Sequence, residues 1–372
     1  TITKSFYDWC IENNKKDLGL VLKEISSIKS VKDIWSSIIA IILAFLVSSV
    51  IILLMNESPV EAYSYLIQGA FGNTRALYNT IAMSIPLMFT GLAVAVASRG
   101  GLFNIGAEGQ LYIGSMCSVL TALAFPGLPK PVLLPLILIA GFAGGAVWGL
   151  IPGYLKAVKG INEVIVCIML NYVAQLFTSY LVNGPFKDEG MQAHTKQISE
   201  NARFVRYTTS SQLTNAVFVA ILIIVCIYIL LWKTSAGFKI RTVGLNFFSS
   251  EAAGINPKIT MIATMALSGG IASMAGVTEI TAKCYRFVDT FSPSYGFTGI
   301  AVAVLGRNNP FGIILTSLLF GMLDSGALRM TLETSISSSM IKVIQSLVIL
   351  FVAAPQISRI FSKKVIRFGN SD

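Results

Sequence analysis

Residues Arg99–Ser115, RGGLFNIGAEGQLYIGS, place glycines and polar side chains between two long apolar runs. In a bilayer every backbone amide and carbonyl needs a partner, so non-helical backbone at membrane depth survives only where protein covers it or water reaches it. Gly100, Gly101, Gly106 and Gly109 permit such a backbone, and the stretch therefore reads as a deliberate break in a membrane helix. Asn104 and Glu108 are four residues apart, which would put both on one face of any helical path. An acid at this depth costs roughly 2.5–3.5 kcal/mol on insertion scales and marks a functional site by default. Glu108 reads equally well as the wall of a pathway and as a clamp that caps loose amides or pairs with Arg99.

Composition agrees with a membrane setting. Apolar residues make up 54% of the 372 and charged residues 12%, and the mean hydropathy is +0.72. Apolar stretches long enough to cross about 30 Å of hydrocarbon, or to pair with a broken helix, cover residues 35–55, 77–98, 110–125, 131–152, 163–182, 213–232, 258–277, 297–305, 311–328 and 340–355. The expected fold is an all-α polytopic membrane protein of about ten helices, the third and eighth short and broken or re-entrant. Residues 1–34 read as an amphipathic segment on the cytoplasmic surface rather than a signal peptide, 35–358 as the transmembrane domain and 359–372 as a basic cytoplasmic tail. With both ends inside, about eighteen of the 28 Lys and Arg fall on the cytoplasmic side. That asymmetry accounts for the net charge of +10 without nucleic acid.

The polar connector 183–212 divides the chain after five spans. Spans two to five and seven to ten would then run in opposite senses, as an inverted repeat requires, with glycine-rich breaks at 99–115 and 295–312. Gly141, Gly145, Gly149 and Gly153 recur every four residues, as do Ser268, Ala272 and Gly276, which favours close helix packing within the chain or across a dimer.

Catalytic and metal chemistry find no support. The five cysteines are scattered, His194 is the only histidine and is expected in a solvated loop, and there is no phosphate loop, nucleophile elbow or paired Cys motif. If ATP drives anything here, another subunit hydrolyses it.

The connector Lys233–Lys258 is too long for a tight turn. Ser249 or Ser250 can cap a short helix beginning near Glu251, stopped by Gly254 and Pro257. Phe247, Phe248 and Ile255 would be apolar groups in water unless a partner groove received them.

Four stretches together, RGGLFNIGAEGQLYIGS, GINEVIVCIMLNYVA (160–174), RTVGLNFFSSEAAGIN (241–256) and GFTGIAVAVLGRNNPFG (296–312), resemble the permease subunits of bacterial nucleoside ABC importers, relatives of the ribose and branched-chain amino-acid permeases. The resemblance implies a permease in the bacterial cytoplasmic membrane that works with an ATPase carrying ATP and Mg, an external substrate-binding lipoprotein and a second, non-identical permease. Asn104–Gln110 matches the NIG-x-EGQ form of the longer partner of such a pair. By the same resemblance the segment about 246–256 is a coupling helix seated in the ATPase, with Arg241, Gly244, Asn246, Glu251, Ala252 and Gly254 as its residues. Phe247 departs from the proline common at that position. Replacing Gly244 or Glu251 is expected to uncouple the ATPase without unfolding the permease.

A nucleoside path needs flat apolar walls with a few amide or carboxylate groups. Phe103, Asn104, Glu108, Asn171, Tyr172 and Gln175 are the candidates, with interhelical hydrogen bonding as the competing reading. Asp324 and Gln345 are secondary. Glu279, Lys283, Arg286 and Asp289 could receive the binding protein or belong to a solvated loop. A ribose-like sugar or autoinducer importer and an ion-driven secondary transporter remain as alternatives.

Overall fold

The computed structural model describes residues 39, 41–208, 211–337 and 339–353. The expected amino-terminal amphipathic segment and the basic tail lie outside them. The helices are α1 Ile41–Leu54, α2 Pro59–Phe71, α3 Thr74–Arg99, α4 Ala107–Ala124, α5 Lys130–Lys159, α6 Glu163–Asn183, α7 Ala216–Lys233, α8 Ser235–Leu245, α9 Phe247–Ala252, α10 Pro257–Glu279, α11 Tyr295–Leu305, α12 Pro310–Glu333 and α13 Ser339–Ala353. Each of the ten expected spans falls on one of these helices. By length and composition six of them, α3, α5, α6, α7, α10 and α12, are able to cross a membrane on their own. Among the described residues there is no strand, only the isolated bridges His194–Val288 and Arg206–Thr214.

Helix boundaries follow local chemistry. Asn73, Asn162, Asn256 and Asn309 each accept a hydrogen bond from the first turn of the next helix, and proline occupies the first turn after Asn256 and Asn309. Gly160, with φ +69°, ends α5 in the left-handed region, and Lys156 crosses the turn to Glu163 at 2.8 Å.

Helix α2 has no counterpart in the sequence reading. At 13 residues it is about 20 Å long, too short to span, and Glu61 and Gln68 interrupt its apolar character. Its buried face of Ala62, Leu66 and Ala70 lies against α12, where Gly326 leaves no room for a side chain beside Leu66.

The chain divides into two units, residues 1–51 with 346–372 and residues 52–345; all that follows concerns the second. Its centre is the pair α3 and α10, which are mostly buried, whereas α5 and α6 leave most of their surface exposed. α10 packs on α3, α4 and α5, while α3 packs on α10, α11 and α12. This exchange of partners is what a two-fold relation between the halves expects. The second half's break, however, lies earlier than 295–312. By position the counterpart of the α3–α4 linker is the segment after α10, where a π-helical turn Ile280–Cys284 runs into Tyr285 at φ +57°. Its charged sequence resembles an ordinary outer loop.

The two small-residue stripes meet different partners inside the chain. Gly145, Gly149 and Gly153 of α5 face Gly269, Ser273, Met265 and Ile262 of α10. Ser268 and Gly276 of α10 face Ala93 of α3 and Ser115 of α4. Backbones approach closely because no Cβ intervenes. Replacing Gly269 with leucine should destabilise the permease by about 1–3 kcal/mol through overpacking, read as a lower thermal midpoint of the purified protein. Gly127→Ala, where nothing lies within 4 Å, should leave the midpoint unchanged.

Candidate functional site

The break between α3 and α4 begins where Gly101 turns the chain at φ +73°. α4 then starts behind Gly106, which has no side chain with which to cap it. Asn171 of α6 supplies that cap from another helix. Its Oδ1 accepts from the Gly109 amide at 2.8 Å, and its Nδ2 donates to the Ile105 carbonyl at 3.0 Å. A side chain at Gly109 would run into Asn171.

Asn104 is fully buried and pairs with Gln110 through both ends of the two amides, at 2.8 and 3.1 Å. It also donates to the Ser268 hydroxyl at 2.7 Å, and Ser268 donates in turn to the Ala93 carbonyl. The linker is thereby tied to α3 and α10.

Glu108 points elsewhere. In the first turn of α4, it accepts from the Gly296 amide in the first turn of α11 at 2.6 Å. The amino termini of two interrupted helices thus meet at one carboxylate, where both helix dipoles favour negative charge. Any Cβ at Gly296 would collide with the Glu108 backbone, so glycine is required for the approach.

These contacts revise two expectations. Asn104 and Glu108 do not share a helical face, because α4 begins at Ala107 and the residues before it are extended or turned. Arg99 does not pair with Glu108. It donates from Nε to the Asn308 carbonyl at 3.1 Å and stacks 5.4 Å over the Trp232 ring.

Three candidates for a path, Asn104, Glu108 and Asn171, have their side chains engaged inside the protein. The other three face outward: Phe103 and Tyr172 are exposed and Gln175 is partly exposed. Gln345 donates to Asp324 at 2.8 Å, closing that pair on itself. At the other end of the bundle Lys283 bonds Glu279 at 2.6 Å, Asp289 accepts from Ser179 at 3.0 Å, and Arg286 reaches His194 at 3.2 Å. His194 is buried rather than solvated, because the connector after α6 pairs with residues 281–289 through Thr195, Ile198 and Phe204.

The connector after α7 folds differently from its reading. Asn246, not Ser249 or Ser250, caps the short helix, accepting from the Ser249 amide at 3.0 Å, so α9 starts at Phe247 and Glu251 sits near its end. Gly254 at φ +75° returns the chain so that the Ile255 amide donates to the Ser250 carbonyl at 3.0 Å. Ile255 is buried with Val243, Leu102, Ala97, Cys167, Met261 and Met265, and Phe247 packs on that cluster. Of the three apolar groups expected in water, only Phe248 is exposed, at 79%; Leu245 joins it at 87%. Glu251, Ala252 and Gly254 share the exposed side with them, as does Asn246. Arg241 is partly buried, and its Nε has no hydrogen-bond partner among the described residues. Gly244 faces inward against the Arg99 carbonyl and the Gly101 amide, where a Cβ would collide. It therefore cannot be enlarged without disturbing the packing beneath it.

Sequence reasoning missed Gly296, Ser268 and Trp232 as members of this site. None carries a local signal, since each meets its partner over a long sequence separation.

With this geometry in place, comparison with known proteins assigns the chain. Residues 76–353 match the family described as the branched-chain amino acid transport system / permease component. The nucleoside ABC transporter permease NupB of Lactococcus lactis subsp. cremoris (strain MG1363) is 37% identical over 88% of this chain and 92% of its own length. The guanosine ABC transporter permease NupP of Bacillus subtilis (strain 168) is 37% identical over 92% of this chain and 99% of its own. The glucose ABC transporter permease TsgB13 of Haloferax volcanii is 33% identical over 85% and 86%. No solved structure matches. A helical bundle of membrane-spanning length, interrupted in both halves and matched across residues 76–353, belongs to the branched-chain amino acid transport system / permease component family.

Proposed function

We propose that this chain is the permease subunit of an ATP-driven importer for nucleosides. One observation carries the reading: two interrupted helices meet at the Glu108 carboxylate, and the linker leading to it packs against α8, whose end continues into the exposed Leu245–Phe248 surface. An external motor bound at α9 has a short route to a break in the membrane. The substrate class rests on the relatives named for nucleosides and guanosine, each 37% identical. A hexose is the second reading, favoured only by the relative named for glucose at 33%.

In this reading α9 enters a cleft of an ATPase subunit that holds the ATP and Mg, and the end of the bundle carrying α8 and α9 is cytoplasmic, as are both chain ends. Leu245 and Phe248 supply the apolar contact, with Glu251 beside them. A second, non-identical permease packs against this one, and an external lipoprotein delivers the substrate. Phe103, Tyr172 and Gln175 face the path. Asn104, Glu108 and Asn171 shape it from behind by fixing the interrupted backbone. The chain itself performs no covalent chemistry.

Purification of the tagged permease from its native membrane should recover an ATPase and a different permease. Reconstituted with the binding protein, the complex should take up nucleoside only with ATP, and excess glucose or ribose should not compete. Uptake that survives ATP depletion while the membrane potential is held would overturn the reading.

Two variants follow from the site. Phe248→Ala with Glu251→Lys should reduce recovery of the ATPase with the permease about tenfold, the loss of one anchor worth ~1–2 kcal/mol. Glu108→Ala leaves the Gly296 amide unpaired, at about 1–3 kcal/mol, and uptake should fall at least about tenfold. Glu108→Gln keeps an acceptor oxygen and should retain more of the uptake than Glu108→Ala.

A further inference from the structure

The joint between α8 and the interrupted helix consists of backbone on both sides. Gly244 lies against the Arg99 carbonyl and the Gly101 amide, and a Cβ on Gly101 would stand 3.0 Å from the Gly244 Cα. Gly101 is also the residue that turns the chain, at φ +73°. At Gly101 and Gly244 themselves, backbone meets backbone with no side chain in between. Contacts of this kind pass displacement on rather than absorbing it, because close-packed interiors deform little.

The surroundings hold the joint from several directions. Val243 before α9 and Ile255 after it are both buried in the cluster containing Leu102, so the two ends of the α9 excursion are rooted on the linker. The end of α3 is gripped from the opposite side. Arg99 donates to the Asn308 carbonyl, Asn308 donates from Nδ2 to the Ser98 hydroxyl at 2.8 Å, and the Arg99 guanidinium covers Trp232. From Gly101 the linker runs through Asn104 on Ser268, Ile105 on Asn171 and Glu108 on Gly296.

We propose that Gly101 and Gly244 are positioning residues that make α8–α9 and the α3–α4 linker one rigid body, so that a push on α9 arrives at the Glu108–Gly296 contact instead of being spent in a hinge at the base of α9. The inference rests on the transporter reading above. It also assigns Gly244 a place beneath the motor contact, whereas Leu245, Phe248 and Glu251 form that contact.

The test uses the intact reconstituted complex, spin-labelled at Phe103 and Phe238, which flank the joint, lie outside the motor contact and are 39% and 58% exposed. Measured in the nucleotide-free, ATP-bound and ADP-bound states, the inter-label distance should stay within ~2 Å, whereas a change of ~5 Å, one helical turn, would overturn the proposal. In parallel, Gly244→Ala should co-purify with the ATPase in wild-type amount while nucleoside uptake per ATP hydrolysed falls about tenfold, and unchanged coupling would count against the joint. If Gly244→Ala does not assemble, the label distances decide alone. An unmodified complex that lacks an ATPase or takes up nothing with ATP defeats the transporter reading. A transporting complex with a variable distance defeats only the joint.

Discussion

An interrupted helix in hydrocarbon exposes amides and carbonyls that have no helical partner, and the rest of this structure is arranged around answering that demand. The first turn of α4 has no cap of its own, so Asn171 provides an acceptor for Gly109 and a donor for Ile105 from a neighbouring helix. The first turn of α11 is answered by Glu108, itself in the first turn of α4. Each broken end is satisfied by a side chain carried on another element. The breaks can therefore move only if those elements move with them or if a bond is given up. Leaving one such buried group unpaired costs about 1–3 kcal/mol, so the exchange is reversible with modest free energy.

Small residues are the second condition. Gly109 and Gly296 let the polar clamps close, and the glycines of α5 let α10 approach along most of its length. Two central helices with most of their surface buried, surrounded by helices whose outer faces remain apolar and exposed, is an arrangement suited to lipid and to neighbouring subunits. The exposed face of α5, with Val132, Ile139 and Val147, is of that kind. The same economy of side chains governs the end where α8 and α9 lie: two glycines in contact connect an outward-facing surface to the start of the break.

The helices were largely legible because apolar runs separated by Asn, Gly and Pro obey local rules for caps and length. Helix α2 was not legible, since it is too short to register as a span and owes its burial to Gly326 on α12. His194 reads as a loop residue because its neighbours are polar, yet the bridge to Val288 and the contact with Arg286 bury it. Asn246 lost its place as a cap to Ser249 and Ser250 because serine and asparagine compete equally for that role, and only the turn out of α8 sets which comes first.

By itself the sequence determined that this is a many-helix membrane protein with a break after Arg99, an exposed connector after Lys233 and the motifs of a transport permease. Hydropathy, glycine spacing and caps act over a few residues and survive as pattern. The tertiary structure decided what Glu108 and Asn171 bind, that Arg99 turns to Asn308 and Trp232, and that Gly244 rests on Gly101. Those choices join residues up to 209 positions apart. A buried polar group must find a partner, but its chemistry says only what kind of atom is needed; the packing of the helices says which one is within reach.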